Sequence, residues 1–277
     1  MSEEKTGQEN LVTYHREGYA GLITLNRPDK RNALSLALWN ALDDTLHLAT
    51  EDEEARVFLL RGEGKSFCSG LDLSAANEIT SALGGTPGAS QKLHFFKLVK
   101  KAQDIHTRLE RLARPTVAVI HGHCLGAGLE LVLCCDIRLC SQETIFALPE
   151  AKLGLITDVG GLQRLPKIVG PGHAREMAFR GNRFDAARAQ AVNLVNDVYA
   201  DKKTLDTKAM EMAEEIASNP PLAVQGAKEV MLFDEEVSLN QSLDYNAARS
   251  CMIVPSDDLF EAINAYTQKR NGEFKGA

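Results

Sequence analysis

The chain has 277 residues, 44% of them apolar and 25% charged, with a formal net charge of −7. This length buries a sizeable core without a disulfide or metal staple, and the composition excludes disordered and collagen-like chains. No apolar run reaches the roughly 18 residues of a membrane-spanning helix, and the acidic balance argues against nucleic-acid binding through a broad basic face.

The segment MSEEKTGQEN is acidic and polar, and reads as neither a signal peptide nor an Arg-rich transit peptide. A hairpin follows, with strands over residues 11–15 and 22–25 around a Glu-Gly turn. Ser35 is placed to cap a helix whose apolar face carries Leu38, Leu42, Thr45 and Ala49. Residues 56–62, RVFLLRG, form a buried strand closed by glycine. Two loop signals come next, GEGKSFCSG and the LGGTPGAS of residues 83–90. An amphipathic helix over 92–112 stops before Pro115, and 116–120 is a β-branched strand. The glycine-rich turn GHCLGAG opens another helix near Gly128, and residues 137–140 and 145–147 return to strand.

Strands thus alternate with helices up to about Tyr199, the pattern of an α/β fold with largely parallel strands. Residues 205–218, 222–233, 239–252 and 257–269 then read as helices without a strand. The chain divides into an α/β part, residues 1–203, and a helical part, residues 204–277, with no flexible linker between them.

The six cysteines contain no C-x-x-C pair, and four lie in apolar stretches. They read as small buried hydrophobes in a reducing compartment. His121 and His123 flank Gly122, with nothing near them to complete a metal site. The ending EFKGA is no peroxisomal or lipidation signal, so the expected location is cytoplasmic.

Two glycine-rich segments each follow a hydrophobic strand: SFCSGLDL (66–73) and HGHCLGAGLEL (121–131). Two such turns can aim one backbone amide each at a single oxygen, which makes an oxyanion hole. Two ordinary strand-to-helix turns are the plainer alternative. Nucleotide loops of the G-x-x-x-x-G-K-[ST] and G-x-G-x-x-G types are missing, as is the G-x-S-x-G elbow. Glu130, three residues after Ala127 and among leucines, reads as an embedded carboxylate or as a complement to the helix dipole. Glu150 and Asp158 sit in an apolar stretch before VGGLQRLPKIVG, and a loop acid or a helix cap explains each equally well. Spacing alone does not bring the three acids together.

From about Val12 to Phe274 the chain resembles the crotonase, or enoyl-CoA hydratase/isomerase, superfamily. The segments that carry the likeness are LITLNRPDKRNAL, GEGKSFCSGLDL, RPTVAVIHGHCLGAGLELVLCCDIRLC, FALPEAKLGLITDVGGLQRLPKIVG and EAINAYTQKRNGEF, in that order. The resemblance implies a spiral of ββα units followed by a C-terminal helical trimerisation region. It implies homotrimers, often paired into hexamers, and an acyl-CoA thioester substrate. No metal or redox cofactor is expected, since coenzyme A belongs to the substrate. Carried over by position, the oxyanion amides are those of Leu71 and Ala127. The family often has glycine at the latter position, and alanine keeps the N–H. The CoA adenine is expected against the turn of Cys68, Ser69, Gly70 and Asp72. Lys30, Arg31, Lys269 and Arg270 are candidates for its phosphates.

Within the family, Glu130 and Glu150 match the glutamate pair of 2-enoyl-CoA hydratases. The segment TDVGGLQRLPKIVG and the long 73–112 stretch look instead like dienoyl-CoA isomerases, in which Glu150 would take a proton at C2 and Asp158 would return one at C6. Those isomerases usually have aspartate where Glu130 stands. The favoured expectation is a 3,5-dienoyl-CoA to 2,4-dienoyl-CoA isomerase. A 2-enoyl-CoA hydratase is the alternative, and a non-catalytic acyl-CoA-binding scaffold the third reading. Three carboxylates in one apolar pocket should have raised pKa values, leaving at least one as an acid at neutral pH.

Overall fold

The structure, a computed structural model, describes residues 10–74, 77–83 and 88–276. The expected hairpin is present as β1 (Val12–Glu17) and β2 (Ala20–Leu25), paired antiparallel. α1 (Leu36–Glu51) is capped by Ser35, whose Oγ accepts from the Leu38 N–H at 3.2 Å. β3 (Val57–Gly62), α2 (Glu78–Leu83), α3 (Ala89–Glu110) and β4 (Thr116–Ile120) follow. Next come β5 (His123–Leu125), α4 (Ala127–Val132), β6 (Ile137–Ser141), β7 (Ile145–Ala147), α5 (Gly161–Val169), α6 (Pro171–Arg180), β8 (Phe184–Asp185), α7 (Ala186–Ala191) and β9 (Asp197–Tyr199). The helices α8 (Lys202–Ala217), α9 (Pro221–Asp234), α10 (Leu239–Ile253) and α11 (Asp257–Gln268) complete the described chain.

The main sheet runs β1-β2-β3-β4-β6-β9, parallel from β2 onward. Its central strands are mostly apolar because both faces are covered. Alternate residues go to opposite sides. Ala20, Leu22, Val57, Leu59, Val117, Val119 and Leu139 pack under α8, while Ile23, Leu25, Phe58, Leu60, Ala118 and Ile120 face the larger core. α8 meets the sheet through Leu205, Ala209, Ala213 and Ala217, a four-residue repeat whose three alanines let helix and sheet approach closely.

A second layer is built from short pieces. β5, β7 and β8 form a small sheet, and isolated parallel bridges join Leu34 to Leu71 and Cys68 to Cys124. Each turn of the chain therefore contributes one strand to the main sheet, one short extended piece to the second layer, and then helix. This is the spiral of ββα units that the resemblance implied. The sequence reading took His123–Leu125 as part of a turn, whereas it is strand β5: its glycine-flanked residues pair with β7 and gain hydrogen bonds no local pattern announces. α3 begins at Ala89 rather than at 92, and part of the expected 83–90 loop lies outside the described residues. Five cysteines are buried and free, and Cys251 is exposed. Among the described residues no helix is long and apolar enough to cross a membrane.

Candidate active site

The two glycine-rich turns meet side by side. The Cys68 N–H donates to the His123 carbonyl at 2.9 Å, and the Leu125 N–H to the Cys68 carbonyl at 3.1 Å. Leu71 is bridged by Leu34, which donates to the Gly70 carbonyl at 2.8 Å and accepts from the Asp72 N–H at 3.0 Å. That pattern uses the groups on either side of Leu71, so the Leu71 N–H faces away and donates to no described residue. Ala127 is the first residue of α4, where N–H groups lack intrahelical acceptors, and its amide is likewise without a described partner. Gly126 sets that amide's direction from φ 51°, ψ −127°, a conformation open to glycine. Leu71 and Ala127 line one cavity of about 140 Å³.

Glu130, Glu150 and Asp158 line the same cavity, whose remaining wall includes Trp39, Phe95, Leu98 and Val159. Glu130 is 1% exposed, and its Oε2 accepts from the Gly161 N–H at 2.6 Å and the Val159 N–H at 3.1 Å. Burial pushes its pKa up to about 8. The two amides act against that shift, and the charges of Glu150 and Asp158 add to it. Glu150 opens a short 3-10 turn after β7, and its Oε2 accepts from Thr157 Oγ1 at 3.3 Å. Burial raises its pKa against that hydrogen bond, as it raises the pKa of Asp158. All three acids are therefore biased toward the protonated state by burial. Asp158 is not a helix cap: the N-cap of α5 is Gly160, with no side-chain bond.

The structure thus joins Glu130, Glu150, Asp158, Leu71 and Ala127, with Ser69 and Gly70 at the same cavity. Other candidates lie apart from it. The Cys68 thiol is fully buried, donating to the Asn32 carbonyl at 3.1 Å. Asp72 is ion-paired to Arg27 at 2.6 Å. Lys30 and Arg31 are exposed beside the turn, and the Arg31 carbonyl accepts from the Ser69 N–H at 3.0 Å. Lys269 ends α11, exposed, and no described contact joins it to the cavity. Arg270 is held by both carboxylate oxygens of Glu261.

Sequence reasoning missed Asn32. It is fully buried, and its Nδ2 reaches the carbonyls of Glu63, Ser66 and Phe67 at 2.9–3.0 Å, stitching down the loop that leads to Leu71. It missed Trp39 as a cavity wall and the α3 residues Gln103 and His106, which bond the carbonyls of Asp158 and Val159. His106 did carry a signal, a polar residue inside the apolar stripe of Ala102, Ile105 and Leu109.

A family model described as enoyl-CoA hydratase/isomerase matches residues 16–277. A peroxisomal Delta(3,5)-Delta(2,4)-dienoyl-CoA isomerase of Arabidopsis thaliana is 39% identical over 91% of this chain and 91% of its own. A 2,3-dehydroadipyl-CoA hydratase of Escherichia coli K12 is 34% identical over 92% of this chain and 94% of its own. The solved enoyl-CoA hydratase of Bacillus anthracis superposes with a TM-score of 0.87 at 33% identity, covering 96% of this chain and all of that one.

Proposed function

The chain belongs to the enoyl-CoA hydratase/isomerase family, and from that premise we propose that it isomerises 3,5-dienoyl-CoA to 2,4-dienoyl-CoA. One observation carries the choice: a third carboxylic side chain, Asp158, lines the cavity that also holds Glu130 and Glu150. The dienoyl-CoA isomerase relatives, at 33–39% identity, support the same reading.

The thioester oxygen accepts from the Leu71 and Ala127 N–H groups. Charge develops on that oxygen as C2 loses its proton, and two fixed amides stabilise it; losing one such donor typically costs about 3–4 kcal/mol of barrier. The Glu150 carboxylate takes the C2 proton. Electrons shift from the C2–H bond into C2=C3, the C3=C4 pair moves to C4=C5, and the C5=C6 pair takes a proton at C6 from Asp158. Burial keeps Asp158 protonated to higher pH than an ordinary aspartate, as a donor requires. Burial pushes the Glu130 pKa up to about 8, which favours its neutral form near pH 7 and so limits the charge it sets against the dienolate. Coenzyme A is part of the substrate, and the reaction balances without a further cofactor. Ser69 and Gly70, at the cavity edge, and the neighbouring Lys30 and Arg31 are proposed to meet the CoA moiety.

Hydration of a 2-enoyl-CoA is the second reading, favoured by the presence of Glu130 and Glu150 together. A parallel assay of one 3,5-dienoyl-CoA and one 2-enoyl-CoA separates the two: the isomerase yields a 2,4-dienoyl product, and a hydratase yields only a 3-hydroxyacyl product. We propose a homotrimer or hexamer, because α10 exposes Leu239, Leu243 and Met252 and α11 exposes Phe260, Ile263 and Tyr266. The cytoplasmic location expected from the sequence is kept as a proposal beside relatives named as peroxisomal and mitochondrial; fractionation of the source cells tests it.

A further inference from the structure

Among the described residues no side chain is hydrogen-bonded to the Asp158 carboxyl, and the backbone at Asp158 itself opposes the burial that raises its pKa. Its direction is therefore set by the peptide that carries it, and that peptide is gripped on both edges. On one edge Gln103 Nε2, from α3, donates to the Asp158 carbonyl at 2.6 Å. On the other the Val159 N–H donates to Glu130 Oε2 at 3.1 Å. Lys100 Nζ donates to Gln103 Oε1 at 2.9 Å, which turns the Gln103 amide so that its NH₂ faces Asp158.

A second grip follows one residue on. His106 Nδ1 lies 3.1 Å from the Val159 carbonyl, so Nδ1 must carry the proton. Gln103 and His106 are three apart on α3 and share a face. His106 is fully buried, and burial, helped by the Arg164 charge, takes its pKa down to about 3. It stays neutral, and its grip holds across the working pH range. Its Nε2 is buried and has no partner among the described residues, an unfavourable arrangement that a plain packing residue would avoid.

We infer that Gln103 is a positioning residue for the C6 proton transfer: with Glu130 it clamps the Asp158–Val159 peptide and so fixes where the Asp158 carboxyl meets the acyl chain. His106 supports the clamp from the next carbonyl. Glu150 is not on the clamped peptide but on the 3-10 turn after β7, and its link to the neighbouring segment is the single bond from Thr157 Oγ1, so loss of Gln103 should affect proton removal at C2 less than proton return at C6. The inference rests on the isomerase reading.

The test separates the two proton steps. A 3,5-dienoyl-CoA is incubated in D₂O with wild type, Gln103→Leu, Gln103→Glu and Asp158→Asn. Product formation and deuterium entry at C2 of recovered substrate are both followed. Both Gln103 variants remove the N–H donor, and Gln103→Glu is isosteric and helix-compatible, so it serves if the leucine variant folds poorly. We expect kcat for product to fall about tenfold, part of the 10²–10⁴ that a positioned acid supplies. KM should stay within about twofold, and C2 exchange should stay near the wild-type rate, so the ratio of exchange to product rises. A parallel fall of exchange and product would mean general distortion and overturn the inference, as would unchanged product formation. If wild type makes product, Asp158→Asn does not, and the Gln103 variants match wild type, the inference fails alone. If wild type makes no dienoyl product, the isomerase reading fails and takes the inference with it.

Discussion

Glu130 is a glutamate in a first helical turn, and the sequence around it allowed either a buried acid or a dipole complement. Its distinguishing partners, the Val159 and Gly161 amides, lie 29 and 31 residues away. Local spacing could not reveal them, and only motif resemblance had paired this acid with Glu150 and Asp158. The environment makes a pH prediction. The folded side chain titrates near pH 8 and the free one near 4.5, so the folded chain keeps a proton that the unfolded chain loses. The resulting stability is full below about pH 4.5 and is lost as pH rises through about 8. Calorimetry should find Tm falling from pH 5 to pH 8 more steeply in wild type than in Glu130→Gln, whose amide oxygen can still accept both N–H groups. Equal slopes in the two proteins would contradict the assignment.

The elements that carry the site are short, and their geometry depends on close approaches. A Cβ at Gly126 would lie 2.5 Å from Glu150 Oε1, on a backbone that L-residues rarely adopt. Gly126→Ala should therefore turn the Ala127 amide away and press on the Glu150 carboxyl, lowering kcat by at least roughly the 10²–10³ of a lost oxyanion donor, in a protein that circular dichroism finds folded. Wild-type kcat in that variant would count against the Ala127 N–H. A Cβ at Gly161 would meet Glu130 Cγ at 2.8 Å and Oε2 at 2.9 Å, so Gly161→Ala should weaken the grip on the 158–161 segment and lower both Tm and kcat. At this scale the sequence was legible where an element buries a long periodic face, as in α1 and the main-sheet strands. It was not legible for β5, because three residues between glycines have too little pattern, and its pairing with β7 is set by tertiary packing.

Across the whole molecule, the alternation of strand and helix in the sequence points by itself to a parallel α/β fold. The two-layer spiral came only from the motif resemblance, because bridges such as Cys68–Cys124 depend on which turns lie side by side. The C-terminal helices were legible as helices, and their outer apolar residues carry the assembly prediction. Light scattering at micromolar concentration should give three or six times the chain mass, and Ile263→Asp should shift the population to smaller species; a monomeric wild type would contradict a trimer. The isomerase account itself is tested most directly by wild type and Asp158→Asn side by side on one 3,5-dienoyl-CoA in D₂O, with products resolved by mass and NMR. The account predicts that wild type yields 2,4-dienoyl-CoA with deuterium at C6, and that Asp158→Asn loses product by roughly a hundredfold or more while deuterium still enters C2. A wild type that leaves the 3,5-diene untouched yet hydrates a 2-enoyl-CoA, or an Asp158→Asn variant that isomerises at the wild-type rate, would contradict it.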